Sequence, residues 1–304
     1  MLFNTVEFII FLPAVVVIYY LFPAKHRWIL LLGASYFFYM SWNIKYIFLI
    51  IFSTIIDYLI GLKMESLLHK KQRLPWLIIS ITINLGLLFS FKYLTFATEN
   101  INLFATNLGF YYQLPLFDLL LPVGISFYTF QTLSYAIDVY NSKIKAERHL
   151  GHFALYVSFF PQLVAGPIER YSALAPQFKV KQLLRYNNFA NGFRLIIYGL
   201  FVKMIIADNL SLVADKVFLE PNIYHSLDVL TGMVFYSFQI YCDFYGYSLI
   251  AIGSALLLGI QLMDNFKTPY LARNIAEFWQ RWHISLSTWF RDYVLPVRWK
   301  ANKN

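Results

Sequence analysis

Residues 44–62 read IKYIFLIIFSTIIDYLIGL, an apolar stretch interrupted by one lysine and one aspartate. An α-helix needs about 20 mostly apolar residues to cross the hydrocarbon core of a bilayer, and this stretch comes close to that length. Hydrophobic residues make up 59% of the 304-residue chain and charged residues 13%, whereas soluble domains average about half and about a quarter. The sequence therefore predicts an all-α, polytopic membrane protein and excludes a soluble globular domain.

Other apolar runs repeat this pattern along the chain. They cover residues 8–22, 28–42, 75–91, 115–140, 189–213 and 226–262, the last long enough for a bent span or two short ones. A polar, nearly uncharged connection covers 95–113. Basic residues follow the first, third and fifth runs, at 25–27, 63–73 and 143–148. If these loops face the cytoplasm, five spans alternate consistently, and we expect a multi-pass protein of the cell (inner or plasma) membrane with an extracytoplasmic N-terminus.

The run over 153–168 does not fit this alternation. Pro161 and the pair Gly166-Pro167 interrupt it, and basic residues lie on both sides of it. Such a segment is better explained as re-entrant than as a full span. Because broken backbone is tolerated at membrane depth only under protein or water, this run indicates a functional interior.

Charge and cysteine content exclude several other classes. The net charge of +9 comes from short loops between apolar runs, which favours anionic lipid as the partner over nucleic acid. Cys242 is the single cysteine, so neither a disulfide framework nor a thiolate metal site is possible. The sequence contains no P-loop, dinucleotide-binding, HExxH or nucleophile-elbow motif. We expect neither a metal nor a tightly bound cofactor.

A few polar residues interrupt the apolar runs and are candidates for chemistry. Ionisable groups inside a membrane are costly and usually face the bundle interior. On a helix, Gln239, Asp243 and Gly246 share one face of a Tyr-rich segment, which we expect to contact other protein or water. The remaining intramembrane candidates are Asp57, Asp138, Lys203 and Asp208. The alternative for each of the five ionisable groups is a structural ion pair.

One histidine differs from the other five, which lie in or beside polar loops. His283 lies in a run of aromatic and polar residues over 277–293. If that run is one helix, Trp282 belongs to an apolar stripe, and His283, Ser287 and Arg291 form a polar stripe beside it. A neutral imidazole facing a buried cavity is suited to general-base chemistry. A purely structural histidine is the alternative.

Four segments, taken together, carry a family resemblance. They are LPVGISFYTFQ at 121–131, FPQLVAGPI at 160–168, YCDFYGYS at 241–248, and the Trp282-His283 run with Trp289, Arg291, Asp292 and Tyr293. In this order and spacing they resemble the membrane-bound O-acyltransferase family, in its bacterial branch of alginate and peptidoglycan O-acetyltransferases and teichoic acid D-alanyl transfer proteins. Taken alone, the first segment indicates only a helix kinked or broken at Pro122-Val123-Gly124.

The resemblance implies a ring of transmembrane helices, some of them broken or re-entrant, around a central tunnel. An acyl group from a cytoplasmic thioester donor such as acetyl-coenzyme A would pass through it to a polysaccharide acceptor outside, with an extracytoplasmic acetyltransferase as partner protein. His283 matches the motif histidine and is the catalytic candidate. Trp282, Ser287, Arg291, Asp243 and Gln239 are the supporting tunnel candidates.

The resemblance also implies a second, invariant histidine some tens of residues later, which is the residue that family members use for catalysis, while the motif histidine lines the same tunnel. No histidine follows His283, and residues 294–304 depart from the family's continuation. We therefore expect one membrane domain over 1–304 that lacks the C-terminal part of the family fold, from a truncated or frameshifted product. The alternatives are an inactive scaffold for an extracytoplasmic acetyltransferase and, ranked last for want of an internal repeat, a transporter of lipid-linked sugar.

Overall fold

The fold is a bundle of helices of unequal length. The computed structural model describes residues 1–109, 114–115, 122–164 and 166–295, and these contain no β-strand. The helices are α1 (Val6–Leu21), α2 (Arg27–Met40), α3 (Ile47–Ser66), α4 (Lys70–Asn107), α5 (Ile125–Tyr140), α6 (Leu150–Ser158), α7 (Phe160–Leu163), α8 (Tyr171–Lys179), α9 (Tyr186–Leu200), α10 (Asp208–Leu219), α11 (Ser226–Leu257), α12 (Ile275–Arg281) and α13 (Ile284–Tyr293). A π-helical segment, Phe201–Ala207, joins α9 to α10.

Four helical stretches in the described residues are long and apolar enough to cross a membrane. They are α3 with the turn before it (Ile44–Ser66), α4, the continuous α9–α10 stretch (Tyr186–Leu219), and α11. The predicted first span is also an apolar helix, α1, but has only 16 residues. The prediction of an all-α, multi-pass membrane protein is confirmed.

Two predicted helix boundaries are wrong. The polar connection predicted from residue 95 onward continues α4 to Asn107. Side chains such as Thr98 and Thr106 bond back to carbonyls one turn earlier, and the helix ends only before Gly109, which adopts φ +84°. Polarity alone does not stop a helix, whereas a glycine with positive φ does.

Of the two predictions for the run over 226–262, two short spans is wrong, because the run contains a single long helix. It is one continuous helix, α11, that ends at Leu257 and is followed by Gly259 at φ +79°. The predicted break at Pro122-Val123-Gly124 is a turn, with α5 beginning at Ile125. The part of that predicted span over 116–121 lies outside the described residues, as does residue 165.

The basic loops meet at one end of the bundle, as their charge pattern predicts. Arg73 and Lys70 donate to Ser142 and Asn141, and Arg148 lies 3.6 Å from Glu65. In the same region Trp28, next to the first basic loop, packs edge-on against His149 with ring centroids 4.8 Å apart. We call this the basic end of the bundle. The N-terminal ammonium lies at the opposite end of α1 and α2, where it donates to Ser41.

The irregular run predicted over 153–168 is broken and covered by protein. It forms α6 and α7 with a break at Phe159, and every residue from Phe153 to Leu163 is buried. Gln131 and Gln162 both donate to the carbonyl of Tyr156 near the break. Side chains thus satisfy backbone groups that the interrupted helix leaves free.

Helices α9 and α11 approach each other closely through reciprocal glycines. A Cβ added to Gly199 would lie 2.7 Å from the carbonyl oxygen of Gly246, and one added to Gly192 would lie 2.8 Å from that of Gly253. Both helices use glycines seven residues apart, so two backbone contacts form on one face. Small residues permit such close approach of helices in membranes.

Gly199→Val should therefore separate α9 from α11 and lower the free energy of unfolding by about 1–3 kcal/mol, the usual cost of overpacking. The measurement is SDS-titrated unfolding of the purified chain in mixed micelles. Gly86→Val is the matched control, because a Cβ at this helical glycine meets nothing within 4 Å. A loss no larger than that of the control would contradict the packing argument.

Candidate functional site

His283 lies at a break between two helices. α12 ends at Arg281, Trp282 is extended, and His283 adopts a left-handed backbone with φ +41° before α13 begins. The prediction of one helix over 277–293 is therefore wrong. The reason is tertiary: Lys267 donates its N–H to the carbonyl of Arg281, and Ile284 donates to that of Asn265. These bonds to the connecting segment 264–267 replace helical bonds across Trp282 and His283.

The imidazole of His283 lies in an aromatic pocket with one polar wall. Phe244 packs edge-on against it with ring centroids 4.7 Å apart, and Phe127 and Phe266 lie at 6.3 and 6.4 Å. Asn265 Oδ1 lies 3.1 Å from Nδ1. Burial lowers the pKa of His283 to about 4, because water no longer stabilises the charged ring. The imidazole is therefore neutral at physiological pH, as a general base must be.

The four segments that carried the family resemblance converge here. Phe127 comes from the first segment and Phe244 from the third. Gly124, in the first segment, has φ +77° and packs so closely on the second that a Cβ would lie 2.2 Å from the carbonyl oxygen of Leu163. On α13, Trp289 donates its indole N–H to the carbonyl of Phe130. Segments up to 160 residues apart in sequence thus form one site.

The structure separates the residues predicted to accompany His283 in the tunnel. Trp282 packs on Phe266, with ring centroids 5.2 Å apart. Ser287 donates to the carbonyl of Trp282 at 3.1 Å, so it closes the helix break. Arg291 has a 68% exposed side chain that pairs with neighbouring Asp292. The predicted polar stripe of His283, Ser287 and Arg291 does not form one lining.

Asp243 belongs to an ion cluster beside this pocket. Lys203 Nζ lies 2.6 Å from both Asp243 and Asp208. Lys203 is in the π-helical segment, whose wide turn brings residues five apart onto one face. As predicted, the face that holds Asp243 and Gly246 contacts other protein, here the α9–α10 stretch. Gln239 Oε1 is buried and accepts no hydrogen bond within the described residues.

The other two predicted carboxylates have structural partners. Asp57 is buried and accepts hydrogen bonds from Ser80 and Asn84 on α4. Asp138 accepts from the Tyr293 hydroxyl at 2.8 Å and lies 3.3 Å from Lys143. These contacts favour a structural role for both carboxylates.

Four residues around the imidazole were not singled out from the sequence: Phe127, Phe244, Asn265 and Phe266. Phe127 and Phe244 lie inside the quoted segments, so the expectation that those segments meet could have found them. Asn265 has no such signal, because a single asparagine in a mixed tail resembles any surface asparagine. In the structure it is 1% exposed. Among the described residues, no group of three or more histidine, cysteine or acidic side chains could hold a metal ion.

Comparison with known proteins places this site in a family. The family model described as MBOAT, membrane-bound O-acyltransferase family, matches residues 143–303, so the chain belongs to that family. It is 42% identical to the probable alginate O-acetylase AlgI of Pseudomonas syringae, over 97% of this chain and 57% of that protein. It is 37% identical to the peptidoglycan O-acetyltransferase of Helicobacter pylori, over 97% of this chain and 61% of that protein.

A more distant relative is the teichoic acid D-alanyltransferase of Bacillus subtilis, 33% identical over 60% of this chain and 47% of that protein. The chain thus spans about three fifths of the length of the first two relatives. Of the residues around the imidazole, His283, Phe244, Asn265 and Phe266 lie inside the region that the family model matches, and Phe127 precedes it.

The ion cluster gives a test of charge balance inside the membrane. Lys203→Met should leave Asp208 and Asp243 without a cation near the middle of two spans, where a charged group costs about 2.5–3.5 kcal/mol. Membrane abundance and resistance to SDS unfolding should fall. The triple variant Lys203→Met, Asp208→Asn, Asp243→Asn should recover much of the loss. Equal losses in the single and triple variants would contradict an electrostatic role.

Proposed function

We propose that the chain acts as a membrane O-acyltransferase that transfers an acetyl group to a hydroxyl of a cell-envelope polysaccharide of the alginate or peptidoglycan kind. Membership of the family and the printed names of its relatives support this class. The observation that carries the proposal is the neutral, buried imidazole of His283 at the point where the four family segments converge.

In this proposal His283 is the general base. The acceptor hydroxyl loses its proton to the imidazole as its oxygen attacks the carbonyl of an acyl thioester such as acetyl-coenzyme A. The new C–O ester bond replaces the C–S bond, and the departing thiolate takes the proton from the imidazolium. The reaction needs no bound cofactor. Trp282 and Phe266 shape the pocket, while Gln239 offers an unused buried acceptor.

The direction of transfer follows from the basic end of the bundle. Basic loops face the cytoplasm in most inner-membrane proteins, so the thioester would arrive at this end and the N-terminus would be extracytoplasmic. Phe244, which touches His283, lies thirteen residues before the end of α11 at Leu257, or about 20 Å along the axis. The acyl group would therefore travel roughly half the membrane thickness to reach the base.

An extracytoplasmic acetyltransferase is the proposed partner, because it would bind the polymer outside the membrane and present its hydroxyl to the acyl group. The second candidate function is a scaffold. In that case the chain would hold the partner without transferring acyl groups itself. Acetyl transfer by membranes that contain the chain distinguishes the two functions.

His283→Asn should reduce polysaccharide acetylation by about 10²-fold or more, the usual contribution of a general base. Asparagine tolerates the left-handed backbone at this position, so the loss reports the imidazole and not strain; His283→Ala should show the same loss. The measurement is acetate release by mild alkali from polymer made by cells that express the chain.

His69→Asn is the matched control, since this exposed histidine lies in a basic loop, and it should acetylate normally. Undiminished acetylation by His283→Asn at equal membrane abundance would refute the assigned base. No acetylation by the unaltered chain, together with co-purification of the partner, would favour the scaffold.

A further inference from the structure

We infer that Asn265 is a positioning residue that holds His283 in the tautomer with hydrogen on Nδ1, so that Nε2 is the proton-accepting atom. The inference deepens the proposed function and rests on it, because it specifies which atom of the base reacts. Asn265 lies in the segment that connects α11 to α12, and it is the polar residue of an otherwise aromatic pocket.

The orientation of the Asn265 amide follows from its contacts with Ser285. The backbone N–H of Ser285 points at Asn265 Oδ1 from 3.3 Å, and the Ser285 hydroxyl donates to the same atom at 2.9 Å. A backbone N–H can only donate. The atom that faces it is therefore the amide oxygen, since a flipped amide would place its NH2 group against this N–H.

The same oxygen determines the tautomer of the imidazole. Asn265 Oδ1 lies 3.1 Å from Nδ1 of His283, and an amide oxygen carries no hydrogen. The hydrogen of this bond therefore belongs to Nδ1. A neutral imidazole has one N–H, so Nε2 keeps its lone pair. The hydrogen bond at one nitrogen thus selects the nitrogen that acts as base.

Asn265 is itself held rigidly. Its carbonyl accepts from the N–H of Ile284, and two residues earlier the N–H of Met263 donates to Glu169 Oε1 at 2.6 Å. These bonds attach the backbone of the connecting segment both to α13 and to the irregular backbone between α7 and α8. With the backbone fixed, rotation of the amide would break its contacts with Ser285 and His283.

An uncharged partner suits a base that must stay neutral. In the described residues, the groups that touch the ring are Phe127 of α5, Phe244 of α11, Phe266 and Asn265 of the connecting segment, and Ser285 of α13. None of them titrates. Burial is the cause of the lowered pKa of His283, and a carboxylate at position 265 would oppose it by stabilising the imidazolium.

The test uses diethylpyrocarbonate, which modifies the unprotonated nitrogen of imidazole, with peptide mass spectrometry to follow each histidine of the purified chain separately. In the unaltered chain His283 should react at the same rate at pH 5.5 and 7.5. N-acetylhistidine, added as an internal reference, should slow about tenfold at the lower pH, as expected for a free imidazole with a pKa near 6.5. Asn265→Asp replaces the amide by a carboxylate of the same shape. In this variant the rate of His283 modification at pH 5.5 should fall below the rate at pH 7.5 by at least the same factor.

Ser285→Ala is the matched control, because it removes one donor to the same amide oxygen and leaves the backbone N–H in place. In Ser285→Ala the rate of His283 modification should have a flat pH profile, with equal rates at pH 5.5 and 7.5. Acetylation by Asn265→Asp should show the same new pH dependence, and Asn265→Ala should lose acetylation that Asn265→Asp retains at pH 7.5 or above.

A flat profile in Asn265→Asp would overturn the inference. It would also fail if His283 in the unaltered chain stayed unmodified while the exposed histidines reacted, because Nε2 would then not be free. The labelling does not depend on turnover. If it gives the expected profiles and the chain transfers no acetyl group, the tautomer assignment holds and the proposed function fails.

Discussion

The architecture depends on one requirement, that backbone groups inside the bundle find partners without water. A continuous helix meets it unaided, but the break at Phe159 does not. There the N–H of Phe160 is bonded to Ser35 of α2, and the carbonyl of Tyr156 accepts from both Gln131 and Gln162. Since these polar side chains are committed to backbone, they fix where α2, α5 and α7 lie relative to the break.

The break at Trp282 and His283 satisfies the same requirement by a different device. Here a second stretch of backbone, residues 264–267, supplies the partners on both sides of the histidine. His283 therefore lies between two short helices, on backbone that is held on both sides. A loop of equal length without this pairing would leave the imidazole free to reorient, and a base must hold its geometry to be effective.

Apolar runs were sufficient to predict the helical class and the positions of most helices, because burial in lipid depends on composition over many residues. Charge was sufficient to predict that the basic loops share one end. Helix ends were not predictable from polarity: α4 continues through a polar stretch to Asn107, and α11 ends at Leu257. The division of 277–293 into two helices depends on bonds to residues 265–267, and no local pattern encodes a partner elsewhere in the chain. The roles of Asn265 and Phe244 depend on the same long-range contacts.

The contacts of α1 with α11 bear on the order in which the molecule is made. The Tyr20 hydroxyl donates to the carbonyl of Leu257, and Asn4 accepts from Tyr247, across 237 and 243 positions. A ribosome adds about 5–20 residues per second, so the first helix is finished roughly 10–50 seconds before its last partner exists. During that interval the surface around Tyr20 that α11 later covers must be covered by lipid or by assisting proteins of the membrane. Helix α11 therefore packs against a first helix that was inserted long before it.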